Sequence, residues 1–215
     1  MKRLRVLLAD DHSLVLDGIQ RVLEGHCDLV GSVSDGKALV EAASRLVPDV
    51  VVLDVSMPTL NGIDAAREIR KAFPTIKLVF LSMHSNTIYL RKALEAGGSA
   101  YVLKSGASEE LLTAISAAMK GNSYVSPGFG HEVIADLQNV PQKGTRAAIE
   151  LTSRQRQIMQ LIAEGKQNKE IAEVMSVSVK TVEFHRGRLM MKLGAHSVAE
   201  LTRFAIHEGL VAVRE

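Results

Sequence analysis

Four short apolar runs, each ended by a residue able to do chemistry, constrain this chain more than any other feature. Val6-Leu7-Leu8-Ala9 leads into Asp10-Asp11, and Val50-Val51-Val52-Leu53 leads into Asp54. Leu78-Val79-Phe80-Leu81 leads into Ser82, and Ala100-Tyr101-Val102-Leu103 into Lys104. Unbroken apolar runs of this length, separated by helical stretches, read as strands covered on both faces, which is the signature of a parallel sheet. The carboxyl ends of such strands open onto one crevice, where ligands bind. The pattern therefore predicts that three carboxylates, a hydroxyl and an ammonium converge at one sheet edge. Singly, these residues mean little. One acidic residue at a strand end is usually a solvated charge, and Asp10-Asp11 alone would serve as a helix N-cap. Their recurrence at successive strand ends is what points to a site.

Helical periods lie between the runs. Ser13 to Glu24 places Leu14, Ile19, Val22 and Leu23 on a helical period and stops at Gly25. Leu29 to Val33 is a short strand, and Gly36 to Leu46 a helix closed by Val47-Pro48. Further helices are expected over Ile63 to Lys71, Thr87 to Ala96 and Ser108 to Lys120. Five β-α repeats with short connections predict a doubly wound, flavodoxin-like α/β domain with five parallel strands over residues 1–120.

Past Gly121 the character changes. Pro127, Gly128, Gly130, Pro141 and Gly144 punctuate residues 121–148, which read as a linker with one short helix near His131 to Gln138. Strand signals are missing from residues 149–215. Thr152-x-x-Gln155 is a capping box, Asn168 a cap for a second helix, Ser178 for a third, and Ser197-x-x-Glu200 a second box. Four short helices, two joined by a tight turn, predict a small all-α helix-turn-helix domain.

Composition narrows the class. No apolar run approaches the roughly 18 residues of a membrane span, and the short basic start lacks a signal-peptide core. A cytoplasmic protein without membrane attachment is expected. Cys27 is the only cysteine, which excludes an internal disulfide or a cysteine-rich zinc site. The first 120 residues balance at 14 Lys+Arg against 14 Asp+Glu, whereas Ser178 to Arg203 carries five basic residues against Glu183 and Glu200. That local excess suits phosphate contact, although an ordinary solvated helix face shows the same charges.

Three crowded carboxylates repel, and a hard cation relieves them. Mg²⁺ takes one or two carboxylates, waters and a phosphate oxygen. An aspartate placed there can attack phosphorus to give an acyl phosphate. Lys104 with the metal would neutralise the phosphoryl oxygens, and Ser82 would hydrogen-bond one of them.

Leu7-Leu8-Ala9-Asp10-Asp11-His12, Asp54-Val55-Ser56-Met57-Pro58 with Asn61-Gly62, Ser82, and Tyr101-Val102-Leu103-Lys104 resemble the receiver domain of bacterial two-component response regulators. The resemblance implies that Asp54 is the phosphoacceptor. It implies that Asp11 and Asp54 ligate Mg²⁺ with Asp10 assisting through water and the Ser56 carbonyl completing the set, and that Ser82 and Tyr101 form a switch pair. Ser105 replaces the usual proline after the lysine, so a cis peptide is not assumed.

The second module is similar to the LuxR-type helix-turn-helix of the NarL/FixJ response regulators. The likeness rests on Leu151-Thr152-x-Arg154, Ile162-Ala163-x-Gly165, Asn168-Lys169-Glu170-Ile171-Ala172, Thr181-Val182-x-x-His185 and Lys192-Leu193, with Gln155 where the family usually has glutamate. By that pattern Glu183, Phe184 and Gly187 face bases, while Lys180, Thr181, Arg188 and Lys192 contact phosphate. Phe184 is equally placed to be core. The expected function is a transcriptional regulator whose binding to paired DNA half-sites, as a homodimer, is controlled by phosphorylation from a histidine kinase. Two rivals stand beside it. One is DNA binding indifferent to phosphate. The other is an aspartyl-phosphate phosphatase, which would need a second acid where Ser56 stands.

Overall fold

A computed structural model describes residues 3–129 and 151–211. The chain divides into two compact units, Met1–Val140 and Pro141–Glu215. The helix expected near His131 to Gln138 lies outside the described residues.

In the first unit, strands β1 (Leu4–Ala9), β2 (Cys27–Val33), β3 (Val50–Asp54), β4 (Lys77–Ser82), β5 (Ala100–Leu103) and β6 (Tyr124–Val125) form one parallel sheet in the order β2-β1-β3-β4-β5-β6. The sheet thus has six strands rather than the five expected. β6 is two residues long, too short to show any periodicity, and follows Gly121 in the stretch that reads as linker. Backbone bonds hold it on β5: Tyr124 N donates to Ser99 O at 3.2 Å and Ser126 N to Tyr101 O at 2.9 Å.

Helices α1 (Ser13–Leu23), α2 (Gly36–Leu46), α3 (Gly62–Ala72), α4 (Thr87–Glu95) and α5 (Ala107–Met119) cover both faces. Strand alternation divides the apolar residues into two layers. Leu7, Val51, Leu53, Leu78, Phe80 and Tyr101 pack with residues of α2, α3 and α4. Val6, Leu8, Val50, Val52, Val79 and Val102 pack with those of α1 and α5. Each fully buried Val or Leu contributes about 1.5–3 kcal/mol, so the strands are held hard and their ends are well placed. Phe129, from the stretch read as linker, also joins the first layer.

The second unit has α6 (Ser153–Ala163), α7 (Asn168–Met175), α8 (Val179–Leu193) and α9 (Val198–His207) around a core of Ile158, Leu161, Ile171, Val182, Leu189 and Leu201. The capping box at Thr152 forms, with Gln155 N donating to Thr152 Oγ1 at 3.2 Å and Thr152 N to Gln155 Oε1 at 3.1 Å. Ser178 and Ser197 cap α8 and α9 through Thr181 N and Glu200 N. Asn168 does not cap α7. It is the first helical residue and Gln167 precedes it as the cap, with Gln167 N donating to Glu170 Oε2 at 2.7 Å. Among the described residues no helix is long and apolar enough to cross a membrane.

Candidate functional site

Register brings the chemistry together. Ala9 lies beside Leu53, Asp54 beside Leu81, and Ser82 beside Leu103. Asp10, Asp54, Ser82 and Lys104 therefore emerge side by side at the carboxyl edge, where the order β2-β1-β3 reverses the winding of the sheet. Lys104 is not the last residue of β5, as expected, but opens a 3₁₀ turn over Lys104–Gly106. That turn lets its side chain bend back over the strand ends.

Its ammonium sits 2.6 Å from Asp10 Oδ2 and 2.9 Å from Asp54 Oδ2, with all three side chains nearly buried. Asp54 nonetheless ionises reluctantly. Burial, with the Asp10 carboxylate adding to it, raises the Asp54 carboxyl to about 6 despite the opposing pull of Lys104. Burial alone would lower the Lys104 ammonium, but Asp54 and Asp10 outweigh it and hold it above its ordinary value. One ligand atom each from Asp10, Asp11, His12 and Asp54 lies within 4.8 Å of the others, so the cluster could bind a metal. A carboxylate that ionises reluctantly beside another is one that a cation would stabilise, and the oxygen-rich donor set suits a hard ion.

Gly62 is dictated by this edge. A Cβ there would lie 1.9 Å from the Asp54 carbonyl oxygen. Gly62 N donates to Val55 O at 2.9 Å, and Asn61 caps α3 through Asp64 N. The loop after Asp54 is thereby pinned to the strand that carries the carboxylate.

On the other flank, Ser82 Oγ accepts from His84 N at 3.0 Å. The Tyr101 hydroxyl donates to His84 O at 3.0 Å, and burial pushes this phenol up. Its ring is fully buried, stacked with Phe80 and edge-on to Phe129 at 5.3 Å between centroids. Ser126 Oγ accepts from Leu103 N at 2.9 Å and donates to Glu110, which also accepts from the Tyr124 hydroxyl. The segment after β6 is thus tied both to the residue before Lys104 and to the Tyr101 ring.

Two histidines have partners at this edge. His12 Nδ1 lies 3.1 Å from Asp10 Oδ1 and 2.9 Å from Asp11 Oδ1. His84 Nε2 lies 3.1 Å from Ser56 Oγ, its ring stacks on Tyr89 at 4.3 Å, and burial, with Lys104 nearby, lowers its basicity. Adjacency to the acidic pair was the available signal for His12. No spacing rule reveals the Ser56–His84 pair.

In the second unit, α8 presents Lys180, Glu183, Phe184, Gly187, Arg188 and Lys192 as exposed, while Val182 and Leu189 turn inward. Phe184 is 54% exposed, which removes the core alternative. Thr181 is half-buried, its Oγ1 2.9 Å from Ser178 Oγ. Arg186 donates to Asn168 Oδ1 at 3.3 Å and ties α8 to α7.

Comparison with known proteins agrees with both halves. The response regulator receiver domain family matches residues 6–116, and the luxR family of bacterial regulatory proteins matches residues 150–205. The transcriptional regulatory protein MctR of Rhizobium johnstonii is 35% identical over 98% of this chain and 96% of its own. The response regulator UvrY of Escherichia coli is 35% identical over 96% and 95%. The RcsB response regulator of Salmonella typhimurium superposes with a TM-score of 0.63 at 28% identity, covering 97% of this chain and 99% of that one. An RcsB–DNA complex aligns at 0.59 and 28% identity, covering 96% and 99%. The chain belongs to the response regulators, with a receiver domain followed by a LuxR-type DNA-binding domain.

Proposed function

We propose that Asp54 accepts a phosphoryl group and that its phosphorylation controls DNA binding by the second unit. The observation that carries this is the cluster of Asp10, Asp11 and Asp54 at one sheet edge, with the Lys104 ammonium 2.9 Å from Asp54 Oδ2. Asp11 and Asp54, with Asp10 assisting and the Ser56 carbonyl completing the set, would hold Mg²⁺, which would supply further positive charge to the carboxylates and the phosphoryl oxygens. An Asp54 oxygen attacks phosphorus as the bond from phosphorus to the donor's leaving group breaks. The donor is a phosphohistidine of a kinase or a small acyl phosphate. Lys104 stabilises the negative phosphoryl oxygens, and the Ser82 hydroxyl donates to one of them.

Recruiting the Ser82 hydroxyl removes the acceptor for His84 N and frees the loop that holds the Tyr101 hydroxyl. Tyr101 then biases two packings of the pocket flank. Because Phe129 meets the Tyr101 ring, the change reaches the chain leading to the second unit. The phosphorylated form favours homodimers that match paired half-sites in the cytoplasm. In the DNA-binding unit, Glu183, Phe184 and Gly187 face bases, while the family pattern puts Lys180, Thr181, Arg188 and Lys192 at phosphates.

Incubation with acetyl phosphate and Mg²⁺, followed by peptide mapping, tests the assignment. A hydroxylamine-labile phosphate confined to the peptide containing Asp54, and not formed when EDTA is present from the start in place of Mg²⁺, is expected. A label elsewhere, or one that forms without Mg²⁺, contradicts it.

A further inference from the structure

The exposed face of α8 contains a pair and a gap that packing within the second unit does not explain. Phe184 leaves more than half of its surface in water. Arg188, one helical turn later and itself exposed, holds its guanidinium carbon 4.5 Å from the centre of the Phe184 ring. The His185 ring meets Phe184 edge-on at 5.6 Å. Beside them lies Gly187, exposed in mid-helix, where glycine is destabilising relative to alanine. A Cβ at Gly187 would meet nothing within 4 Å. No contact within the unit requires a glycine here, and the missing side chain leaves the helix backbone open to approach from outside.

The aromatic face matters for Arg188. A phosphate can be met by a point charge on a flexible stem, as lysine does, or by the arginine fork, whereas a bidentate contact to one base edge needs the fork held in a fixed direction. A guanidinium stacked on an aromatic ring is restricted in advance, so less freedom is lost when its fork makes two hydrogen bonds. In the major groove the edge matched to that fork is guanine O6 and N7. The face of Phe184 left uncovered suits a thymine methyl. Lys180 and Lys192, exposed on the same helix, remain to contact phosphates.

We infer that Arg188 reads a guanine in the major groove, pre-positioned by Phe184, and that Gly187 is the gap through which the helix backbone closes on the base edges. This moves Arg188 from the phosphate-contacting set, where its place in the family pattern puts it, to the specificity-determining set. It rests on the DNA-reading function proposed above.

The test uses the whole chain with beryllofluoride and Mg²⁺, and a pool of random duplexes from which the wild type selects its sites. Arg188→Lys and Phe184→Leu should each bind the selected duplex about 10- to 100-fold more weakly. Random duplex should bind within about twofold of wild type with the same salt slope, because no phosphate contact is lost. Reselection with Arg188→Lys should lose the preference for one guanine. Gly187→Ala should raise the thermal midpoint while weakening the selected duplex. Arg188→Lys binding the selected duplex as wild type does, or an equal loss on both duplexes, overturns the assignment. Selection of no sequence by the wild type overturns the DNA-reading function and this inference with it.

Discussion

Asp54→Asn should carry no label from acetyl phosphate and, in metal-free buffer, should be more stable than the wild type above pH 6. Folding raises the Asp54 carboxyl from 3.8 to about 6, chiefly by burial. A carboxyl whose folded value exceeds its unfolded one holds its proton longer in the folded state. Its ionisation therefore subtracts stability as pH rises from about 4 through 6, and the penalty stays constant beyond. A rise of this size corresponds to roughly 3 kcal/mol, which sets the ceiling on what the neutral amide regains. Urea unfolding at pH 4 and pH 8 in EDTA should show the variant's advantage at pH 8 largely gone at pH 4. An advantage that does not change with pH would mean that Asp54 bears no ionisation cost in this pocket.

Lys104→Ala should act in the opposite direction. Removing the ammonium leaves Asp10 and Asp54 buried without the cation now 2.6 and 2.9 Å away. Breaking a buried ion pair from one side costs about 3 kcal/mol or more. The loss should be greatest at pH 8 and smaller at pH 5, where Asp54 takes up a proton instead. The variant should also fail to tighten on DNA with beryllofluoride, because no ammonium meets the phosphoryl mimic. Ser82→Ala should share this second defect without the first, since Ser82 carries no charge. A Lys104→Ala protein as stable as wild type at pH 8 would show that solvent replaces the lysine at no cost.

What was legible in the sequence followed from repetition. The apolar runs before Asp10, Asp54 and Ser82 are each long enough to show burial on both faces, and their ends fall in one row because the sheet is parallel. β6 was not legible, because Tyr124 and Val125 provide no period to read. Phe129 was missed for a related reason: a single aromatic among Pro127, Gly128 and Gly130 resembles a surface loop until Tyr101 is seen beneath it. The contact of His84 with Ser56 depends on two loops folding toward one another, and no local rule couples residues 28 positions apart. The cap of α7 shifted by one residue because Gln167 and Asn168 both offer a side-chain amide. Phe184 could not be assigned from its helical position alone. It lies two residues after the buried Val182 and five before the buried Leu189, at the margin between the two faces.

If the pocket of the first unit sets the DNA affinity of the second, titrating the whole protein against its selected duplex with and without beryllofluoride and Mg²⁺, alongside Asp54→Asn, will show it. The wild type should tighten by about tenfold or more when both additions are present, as a coupling of about 1–3 kcal/mol implies, and Asp54→Asn should not respond. Equal affinity in all four conditions would mean that the pocket does not control DNA binding.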